Sequence, residues 1–563
     1  MADATHEVMN QPEPLVGYNL FEGNQALRAA LQLNAPELDT ESLAKLGATL
    51  GSAQMQAHAR LANVHTPQLH SHDRFGRRVD EVEFHPSYHA LMALATQAGL
   101  HGTPWTGQGS NPHVLRAAGF MLFTELEPSI LCPISMTYAV TPALRSNPGI
   151  YADWGPRLAS RAYDPAFKLW RDKPGLTMGM GMTEKQGGSD VRANTTAAVP
   201  DKAPAVADGS DAWGPRFRLT GHKWFVSAPM CDAFLVLAQA PQGLSCFFLP
   251  RVLPDGSRNA IRIQRLKDKL GNKANASSEM EFHDATAWLV GGEGRGVTQI
   301  LGMGTMTRLD CALGSSGLMR QALSIALDHT SQRQAFGKRL IDQPLMRNVL
   351  ADLALESEAA TALAIRLARG FDHGHDPHEA AMARLLTPVA KFWICKRGSH
   401  FAQEAMECLG GNGYVEEGGE GVMARIYREM PVNSIWEGAG NIMALDLLRA
   451  LRKADAGVAL AKELAPAKGA HPALDRLVAA LPHRVEQMAS EVQARGLAQD
   501  VAVAVQAALL HQSAPAAVFS AFCDSRLAGW MPNAPLGSAW GPAFGTLGAQ
   551  TDFDTIIARA MPR

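Results

Sequence analysis

The spacing of apolar residues changes twice along the chain, and this change limits the possible folds more than any other feature of the sequence. Up to about residue 170, apolar residues recur every three or four positions, as in Leu43–Leu61, which predicts helices that pack on a core. Over Leu176–Val290 they alternate with period two between Gly- and Pro-rich turns, which predicts short β-strands. The helical spacing returns over Gly296–Leu451. The sequence therefore predicts a β domain between two helical domains.

The same pattern divides the chain into four parts and predicts an α+β fold class. We expect an N-terminal extension with a helical domain over residues 1–170, a central β domain over 171–293, a second helical domain over 294–452 and a helical C-terminal extension over 453–563. In the last part, Pro482 is expected to separate two helices. A length of 563 residues agrees with several domains, because single hydrophobic cores stop growing well below this size.

Composition and charge argue against several classes of protein. A formal net charge of −2 leaves no overall basic footprint for nucleic acid. No apolar run approaches the length needed to cross a bilayer, and Met1–Asn19 has neither the basic nor the apolar segment of a signal peptide. The seven cysteines include no CxxC pair, which argues against a disulfide framework and a zinc site. We therefore expect a cytoplasmic protein that binds neither a membrane nor a metal.

A Gly-rich segment follows the first strand of the predicted β domain. Met180–Asp190 reads MGMTEKQGGSD and leaves a strand-like run for a small, polar turn. Such a turn exposes backbone N–H groups and short hydroxyls to the polar edge of a ligand. A surface loop is the alternative, and the segment alone favours neither interpretation.

A second segment places two aromatic residues and a hydroxyl after a tight turn. Gly221–Ser227 reads GHKWFVS. An aromatic plane in this strand can cover a flat ring such as a flavin while Ser227 meets its polar edge. In isolation, an ordinary hairpin with core aromatics is the better interpretation.

A third segment, Arg333–Gly337, stands at the end of a long predicted helix. An Arg beside an aromatic residue and a Gly can bind a phosphate and let an adenine approach. The alternative is a cation that is favoured at a helix C-terminus by the dipole, and taken alone this alternative is the better one.

A fourth segment, Ile435–Ile442, places Glu437 between the large Trp436 and a Gly. Apolar surroundings raise the pKa of a carboxyl group and suit it to proton abstraction. A Glu near a helix N-terminus is the alternative interpretation, and one Glu by itself does not decide between them.

The set of segments, in this order, is more specific than any one of them. Together they resemble the acyl-CoA dehydrogenase family over roughly residues 60–452, with the matches in Met182–Asp190, Gly221–Ser227, Lys269–Phe282, Arg333–Lys338, Leu409–Tyr414 and Trp436–Gly438. The resemblance implies the acyl-CoA dehydrogenase fold: a helical N-terminal domain, a central β-barrel-like domain and a C-terminal four-helix bundle, here followed by the helical extension. The sequence of segments such as Arg428–Gly438 most resembles the branch of the family that is associated with the response to DNA alkylation.

The resemblance also implies that the protein is a flavoprotein with FAD as its cofactor. The implied contacts on the flavin and ribityl side are Met182, Thr183, Gly188 and Ser189, with Phe225, Val226 and Ser227 over the isoalloxazine ring. The implied contacts to the ADP half of FAD in a neighbouring subunit are Arg333, Phe336, Gly410 and Gly411. The segment around the base adds Ile435, Gly438, Gly440 and Asn441. Family members usually carry Trp at the position of Phe225 and Thr at that of Ser227, and both replacements keep the aromatic face and the hydroxyl.

The family reaction begins with removal of an α-proton from an acyl thioester, after which a hydride passes from the β-carbon to flavin N5. The family places its catalytic Glu at one of two positions. One position matches Glu437, and the other matches Thr307, beside Arg308, where Thr cannot serve as a base. The resemblance therefore implies that Glu437 is the catalytic base.

The expected substrate is an acyl-CoA or a related thioester, with Trp436 and Arg308 lining its pocket. Most members of the family carry the smaller Tyr where this chain has Trp436. An indole narrows the pocket, so we expect slow turnover and a preference for short or branched acyl groups. Two other flavoproteins remain as alternatives. In a flavoprotein with only structural FAD, acyl-CoAs would not reduce the flavin. An acyl-CoA oxidase would pass the electrons to oxygen and produce peroxide.

Two further partners follow from the resemblance. A second copy of the chain is expected, in a homotetramer built as a dimer of dimers. Double-stranded DNA is the alternative partner, because the same branch of the family is associated with DNA binding through a basic face. Residues 451–563 contain ten Lys and Arg against nine Asp and Glu, a weak footprint, but five cations cluster before and at the start of this part: Arg425, Arg428, Arg449, Arg452 and Lys453. Solvated helix ends are the other interpretation of these charges.

Overall fold

The computed structural model describes residues 5–107, 109–201, 211–486, 491–527, 529 and 543–563. Helices account for most of the regular structure within these ranges. They are α1 (Gln25–Asn34), α2 (Glu41–Leu50), α3 (Ala53–Val64), α4 (Pro86–Gln97), α5 (Pro112–Leu126), α6 (Leu131–Leu144), α7 (Pro148–Leu158), α8 (Gly296–Gln332), α9 (Pro344–Asp372), α10 (Pro377–Glu407), α11 (Gly411–Tyr414), α12 (Val422–Asn433), α13 (Gly440–Leu451), α14 (Ala454–Leu464), α15 (Pro472–Glu486), α16 (Ala494–Ser513), α17 (Ala516–Leu527) and α18 (Phe553–Ala560).

The strands lie mainly in the middle of the chain. They are β1 (Gln68–His72), β2 (Arg78–Glu83), β3 (Met178–Gly181), β4 (Ala197–Pro200), β5 (Arg216–Ser227), β6 (Ala233–Ala240), β7 (Gly243–Pro250), β8 (Ile261–Leu266), β9 (Ser277–Val290), β10 (Gln334–Ala335) and β11 (Lys338–Arg339). The helical, β and helical order of the chain is therefore as predicted, and the fold class is α+β.

The chain forms two compact units. One comprises Met1–Gln56, His113–Leu126 and Cys311–Arg563, and the other comprises Ala57–Pro112 and Glu127–Asp310. Each unit gathers separate stretches of the sequence. The division into four consecutive domains is a division of the sequence and stays a prediction.

The central strands form a closed barrel. β6, β4, β5, β9 and β7 pair in that order, and β7 pairs back onto β6, while β3 and β8 add to β6 and β9. β6 reads AFLVLAQA and is buried along almost its whole length, as expected for a strand that has neighbours on both sides and a covered outer face. The predicted β-barrel-like domain is thus confirmed.

The C-terminal extension packs into the second helical region of the same unit. α10 packs against α9, α12 and α13, and α16 of the extension packs against α9, α10 and α13. Arg526 of α17 donates hydrogen bonds to Asp352 at 2.6 Å and to Glu356 at 3.0 Å. Arg397 donates to the same Glu356, and all four side chains are buried. A buried ionic network therefore fixes the extension to α9 and α10.

Some local predictions differ from the structure. The predicted helical run Leu43–Leu61 is divided at Gly51 into α2 and α3. A Cβ at Gly51 would lie 1.8 Å from the backbone oxygen of Tyr18, so this position requires Gly. The hairpin of β1 and β2 lies in the region predicted to be helical. Pro482 lies inside α15 and does not separate two helices.

Three negative findings apply to this fold. Among the helices of the described ranges, none is long and apolar enough to cross a membrane. The seven cysteines are all unpaired. In the part of the chain that the structure covers, no group of His, Cys, Asp and Glu is arranged to hold a metal ion.

Candidate active site

A buried ion pair fixes the loop that follows β3. The carboxylate of Glu184 accepts a hydrogen bond from Nζ of Lys223 at 2.7 Å, and both side chains are fully buried. Thr195 and Thr196 donate four more hydrogen bonds to this carboxylate, two from backbone N–H groups and two from hydroxyls. Gln186 donates another at 2.8 Å. These bonds use the acceptor capacity of Glu184 to hold the loop in place.

The pKa of Glu184 reflects this arrangement. Burial raises the pKa of the carboxyl group, but the hydrogen bonds from Lys223, Thr195 and Thr196 outweigh it and hold the pKa well below its ordinary value. Sequence reasoning did not single out Glu184 or Lys223, although both lie inside the quoted segments. The pair could have been predicted, because Glu184 and Lys223 carry opposite charges and lie in the two segments that were expected to contact the same cofactor.

The residues of this loop that were predicted to contact FAD are half-buried or exposed. Met182 and Thr183 are half-buried, and their backbone oxygens accept hydrogen bonds from Asn194 at 2.9 Å and from the backbone of Trp224 at 2.8 Å. A Cβ on Gly188 would lie 2.5 Å from Oγ1 of Thr183, so this position requires Gly. Ser189 is exposed at the end of the loop.

A bulge at the end of β5 exposes an aromatic ring. The pairing of β5 with β9 shifts between Lys223 and Val226, so Trp224 and Phe225 stand opposite a single residue of β9. Phe225 is 48% exposed, whereas Val226 is 1% exposed and packs in the barrel core. Ser227 is half-buried, and its hydroxyl lies 3.3 Å from another hydroxyl. Of these residues, Val226 can meet a ligand only through its backbone.

Cations surround the neighbouring indole. Nζ of Lys267 lies 3.2 Å from the ring centroid of Trp224, and Arg265 and Lys185 lie within 5.7 Å of it. Lys267 also lies 4.7 Å from the centroid of Phe225. Sequence reasoning missed these cations, because Arg265 lies in β8 and Lys267 in the loop after it. Only the folding of the barrel brings these two residues to β5.

A tight hairpin follows α8. β10 and β11 are joined through Phe336, with a φ of +53°, and Gly337, with a φ of +75°. A Phe in the left-handed region is unusual, and this one is 97% exposed. Arg333 precedes the hairpin and donates hydrogen bonds from Nη1 to the backbone oxygen of Asn10 at 2.7 Å and to Oε1 of Gln11 at 3.1 Å.

The second Gly-rich loop follows α10. Gly410 has a φ of +60° and is exposed together with Gly411. A Cβ on either residue would meet no atom within 4 Å, so Gly410 is required for its backbone conformation and not for space. Asn412, next along the loop, donates a hydrogen bond to Oε1 of Gln11 at 3.1 Å. Arg333 and Asn412 thus share one acceptor in the same unit.

The segment with the candidate base is a strained turn between α12 and α13. Glu437 is half-buried and has a φ of +60°. This backbone conformation is strained in every residue that has a Cβ. The buried ammonium of Lys391 on α10 donates a hydrogen bond to the backbone oxygen of Gly438 at 2.6 Å. Nε1 of Trp436 donates to Oδ1 of Asn433 at 3.1 Å. These bonds fix the backbone and the indole on the two sides of Glu437.

α13 begins directly after this turn. Gly440 is buried, and a Cβ there would lie 3.0 Å from Cε of Lys396 and 3.4 Å from the ring of Phe392. Asn441 is exposed, as is Ile435 at 64%. The close approach of α13 to α10 therefore depends on Gly440, while Ile435 and Asn441 have solvent-facing side chains.

The alternative base position lies on α8 in the other unit. The hydroxyl of Thr307 donates to the backbone oxygen of Gly304 at 3.1 Å, and the side chain is buried. Arg308 follows it and is half-buried. A hydroxyl that is bonded within its own helix has no basic function, which agrees with the expectation that Thr307 is not a base.

Comparison with known proteins identifies the family. The chain matches the model of the adaptive response protein AidB N-terminal domain over residues 10–165, the acyl-CoA dehydrogenase middle domain over 179–285 and the acyl-CoA dehydrogenase C-terminal domain over 294–452. It is 51% identical over 492 residues to AidB of Escherichia coli (strain K12), with 87% of this chain and 88% of that protein covered. The chain belongs to the acyl-CoA dehydrogenase family. Within that family it is AidB-like.

A second relative agrees in sequence and a solved structure agrees in fold. The chain is 31% identical over 460 residues to acyl-CoA dehydrogenase family member 11 of Caenorhabditis elegans, with 77% of this chain and 70% of that protein covered. The crystal structure of Caenorhabditis elegans ACDH-11 in complex with C11-CoA has a TM-score of 0.82 and 26% identity, covering 96% of each chain. The acyl-CoA dehydrogenase fold is therefore confirmed over nearly the whole AidB-like chain.

The family makes this AidB-like protein an oxidoreductase of the acyl-CoA dehydrogenase type, with FAD as its cofactor. The residues present fit that cofactor. The loop after β3 has a Gly cradle at Gly188 with the hydroxyls of Thr183 and Ser189, and β5 exposes the ring of Phe225 beside Ser227. The assignment of individual residues to FAD stays a prediction.

Proposed function

We propose that this AidB-like protein is an FAD-dependent acyl-CoA dehydrogenase in which Glu437 removes the α-proton of an acyl thioester. The observation that carries the proposal is the left-handed turn at Glu437, since a strained non-Gly residue at φ +60° is typical of functional sites. ACDH-11 of Caenorhabditis elegans, whose crystal structure contains C11-CoA, supports a thioester as the substrate.

The turn at Glu437 is suited to presenting a carboxylate. Lys391 is buried and holds the backbone oxygen of Gly438, so the peptide after Glu437 has one orientation. The indole of Trp436 is held by Asn433. With its backbone fixed on both sides, the carboxylate needs little reorganisation to reach the α-proton.

The remaining residues are proposed to bind the cofactor. Bound FAD supplies the two-electron acceptor for the β-hydrogen of the substrate. Thr183, Ser189 and Ser227 provide hydroxyls to its polar edge, and Phe225 covers its ring. Arg333, which precedes the hairpin with the exposed ring of Phe336, provides a cation to the ADP half of FAD in a neighbouring subunit. These roles follow the family. Ser189 and Phe225 are exposed and Thr183, Ser227 and Arg333 are half-buried, whereas the side chain of Val226 is buried.

The proposal is tested by mixing the holoenzyme with a panel of acyl-CoAs without oxygen. We expect the absorbance of the oxidised flavin to bleach with wild-type protein and to persist with Glu437→Gln. Bleaching that is unchanged in Glu437→Gln contradicts the role of the base. No bleaching by any thioester in wild type indicates a structural flavin, and peroxide production in air indicates an oxidase.

Trp436 supports a narrow substrate pocket. Its indole is larger than the Tyr that most family members have there, and its hydrogen bond to Asn433 restrains the ring. We expect slow turnover and faster reaction with short or branched thioesters than with C11-CoA. Trp436→Tyr should raise the rate with C11-CoA a few-fold (about 3- to 10-fold,) and leave short thioesters nearly unchanged. Equal rates for both substrates in wild type contradict this preference.

A second proposed function is binding of double-stranded DNA at the end of α13. Arg449, Arg452 and Lys453 are exposed, and within the described ranges no acidic side chain pairs with them. Arg425 and Arg428 do not join this face, because Arg425 is buried on a backbone oxygen and Arg428 pairs with Glu416 at 2.6 Å. The proposed face is thus smaller than the predicted cluster.

DNA binding is tested by filter retention of duplex DNA across a salt series. We expect retention at low salt with a steep loss as salt rises, and a shallower slope in the triple variant Arg449→Ala, Arg452→Ala and Lys453→Ala. Arg428→Ala serves as the matched control, because Arg428 is engaged with Glu416. An absence of retention at low salt contradicts this function.

A second copy of the chain is proposed as the partner at the hairpin after α8. Phe336, Leu345 and Tyr414 are 97%, 82% and 78% exposed, and large apolar side chains at such exposure favour an interface. The predicted dimer of dimers is tested by light scattering of wild type and Phe336→Asp. A monomer in wild type contradicts it, and a smaller assembly in the variant supports it.

A further inference from the structure

The segment before α1 docks on the two loops that are proposed to receive the ADP half of FAD. Oδ1 of Asn10 accepts from the backbone N–H of Gln334 at 2.8 Å, and its Nδ2 donates to the oxygen of the same residue at 2.9 Å. The backbone N–H of Glu13 donates to Oε1 of Gln332 at 3.0 Å. The side chain of Asn10 thus pairs with β10 as a strand edge would, and Glu13 fixes the other end of the segment.

Between these two anchors, Gln11 joins the loops to each other. Its Oε1 accepts hydrogen bonds from Nη1 of Arg333 and from Nδ2 of Asn412, each at 3.1 Å. Arg333 and Asn412 are far apart in sequence, and the other residues of their loops are small or exposed. One amide oxygen therefore sets the separation of the Arg333 side chain from the loop that begins at Gly410.

The hydrogen bonds of Arg333 leave part of its guanidinium available. Nη1 donates to Asn10 and to Gln11, which uses both of its N–H groups. Among the described residues, none accepts from Nε or Nη2 of Arg333. The Nε and Nη2 edge is one of the edges that bind carboxylates and phosphates with two parallel hydrogen bonds. The segment therefore orients the guanidinium without occupying that edge.

We propose that Asn10 and Gln11 are positioning residues for the FAD site, which hold Arg333 and Asn412 in the arrangement that binds the diphosphate and adenosine half of the cofactor. This inference rests on the proposed function, in which Arg333 contacts that half. It assigns a role in cofactor binding to a segment that lies outside the acyl-CoA dehydrogenase domains and at the start of the AidB N-terminal domain match.

The test compares the dissociation constants of FAD and riboflavin for the full-length, flavin-stripped protein, measured by quenching of flavin fluorescence. Riboflavin lacks the diphosphate and adenosine. We expect Gln11→Ala to weaken the binding of FAD about 3- to 10-fold, the size of effect expected from the loss of one ordinary hydrogen bond, and to leave the binding of riboflavin unchanged. Gln32→Ala is the matched control, because Gln32 is an exposed Gln of the same N-terminal region.

A double-mutant cycle distinguishes positioning from general stability. If Gln11 acts through Arg333, Gln11→Ala has little further effect on FAD in an Arg333→Ala background. Equal weakening of FAD and riboflavin by Gln11→Ala, or no weakening of either, overturns the inference. If Arg333→Ala itself leaves FAD affinity unchanged, the proposed role of Arg333 fails and this inference fails with it.

The result is separable from the proposed catalytic role. Bleaching of the flavin by acyl-CoA depends on Glu437 in the proposed function, so Glu437→Gln is expected to lose bleaching and to keep the affinity of the protein for FAD. Asn10→Ala provides a second variant, since it removes the pairing with Gln334 but leaves the Gln11 side chain in place. A selective loss of FAD affinity in both variants supports the inference.

Discussion

Two loops of this molecule each place a Glu next to a buried Lys, with opposite results. In the loop after β3, Lys223 donates to the carboxylate of Glu184, and five further hydrogen bonds complete its surroundings. In the turn before α13, Lys391 donates to a backbone oxygen beside Glu437. Lys223 binds the carboxylate of Glu184 and so fixes the loop, whereas Lys391 binds the backbone beside Glu437 and does not occupy the Glu437 carboxylate through this bond.

Backbone conformation separates the two residues further. Glu437 has a φ of +60°, while Glu184 is not among the positive-φ residues and pairs with Gly187 in an isolated bridge. Strain at Glu437 persists because α12, α13 and Lys391 fix the chain on both sides. The atom that each Lys contacts therefore separates the two residues: Lys223 binds the carboxylate of Glu184, whereas Lys391 binds the backbone beside Glu437, the proposed base.

The largest expected effect is the loss of flavin bleaching rate in Glu437→Gln. Removal of a general base should lower the rate of thioester-dependent flavin bleaching by about 10²- to 10⁴-fold, with the free energy of unfolding unchanged. Stopped-flow absorbance and urea denaturation measure the two quantities. If Glu437→Gln lowers both the bleaching rate and the free energy of unfolding, Glu437 has a structural role like that of Glu184.

Glu184→Gln should have the opposite profile, with a large loss of stability. Removing one partner leaves the buried ammonium of Lys223 uncompensated, which costs about 3–5 kcal/mol of unfolding free energy. Replacing both partners, in Glu184→Gln with Lys223→Met, should recover much of this loss. Urea denaturation checks both variants, and Glu41→Gln, which removes the exposed pair with Lys45, should change little.

The same ion pair predicts a dependence on pH. The folded-state pKa of Glu184 is lowered, so its contribution to stability is fully present above its unfolded pKa of about 4.3 and is lost as the pH falls toward the folded pKa. The stability difference between wild type and Glu184→Gln should therefore shrink as the pH falls below about 4.3. A constant difference from pH 7 to pH 3 would exclude this carboxylate as the cause.

The smallest expected effect is a gain of stability in Glu437→Gly. Gly adopts a φ of +60° without a clash, so the variant should be more stable by about 1 kcal/mol while its bleaching activity is lost. Thermal denaturation of the apoprotein measures the shift. A loss of stability would mean that contacts of the Glu437 side chain outweigh the backbone strain.

Much of the fold could be predicted from hydrophobic periodicity. β5 has much of the alternating burial that predicted it, whereas β6 and β7 are buried along almost their whole length, and α8, α9 and α10 lie within the long helical pattern. Pro482 could not be placed by the same reasoning, because packing of Leu474, Leu477 and Leu481 stabilises α15 through the Pro. Local propensity was outweighed there by burial.

Less of the site was predictable. The order of the motifs indicated the family, and through it Phe225, Arg333 and Glu437. It did not indicate that the bulge in β5 buries the side chain of Val226 and exposes Phe225, since a bulge depends on the register with β9. Nor did it indicate that Gln11 meets Arg333, because a single hydrogen bond between distant segments leaves no periodic pattern in a sequence.

The sequence by itself determined the class of the molecule: its main helical and β regions, its family and the cofactor of that family, and it indicated Glu437 as the base that is proposed here. These follow from local periodicity and from motifs read along the chain. Only the tertiary structure decided which Glu is held by its carboxylate and which by its neighbouring backbone, because Lys223 and Lys391 reach them from other elements. Hydrogen bonds and burial depend on distance in space, and the order of residues fixes that distance only after folding.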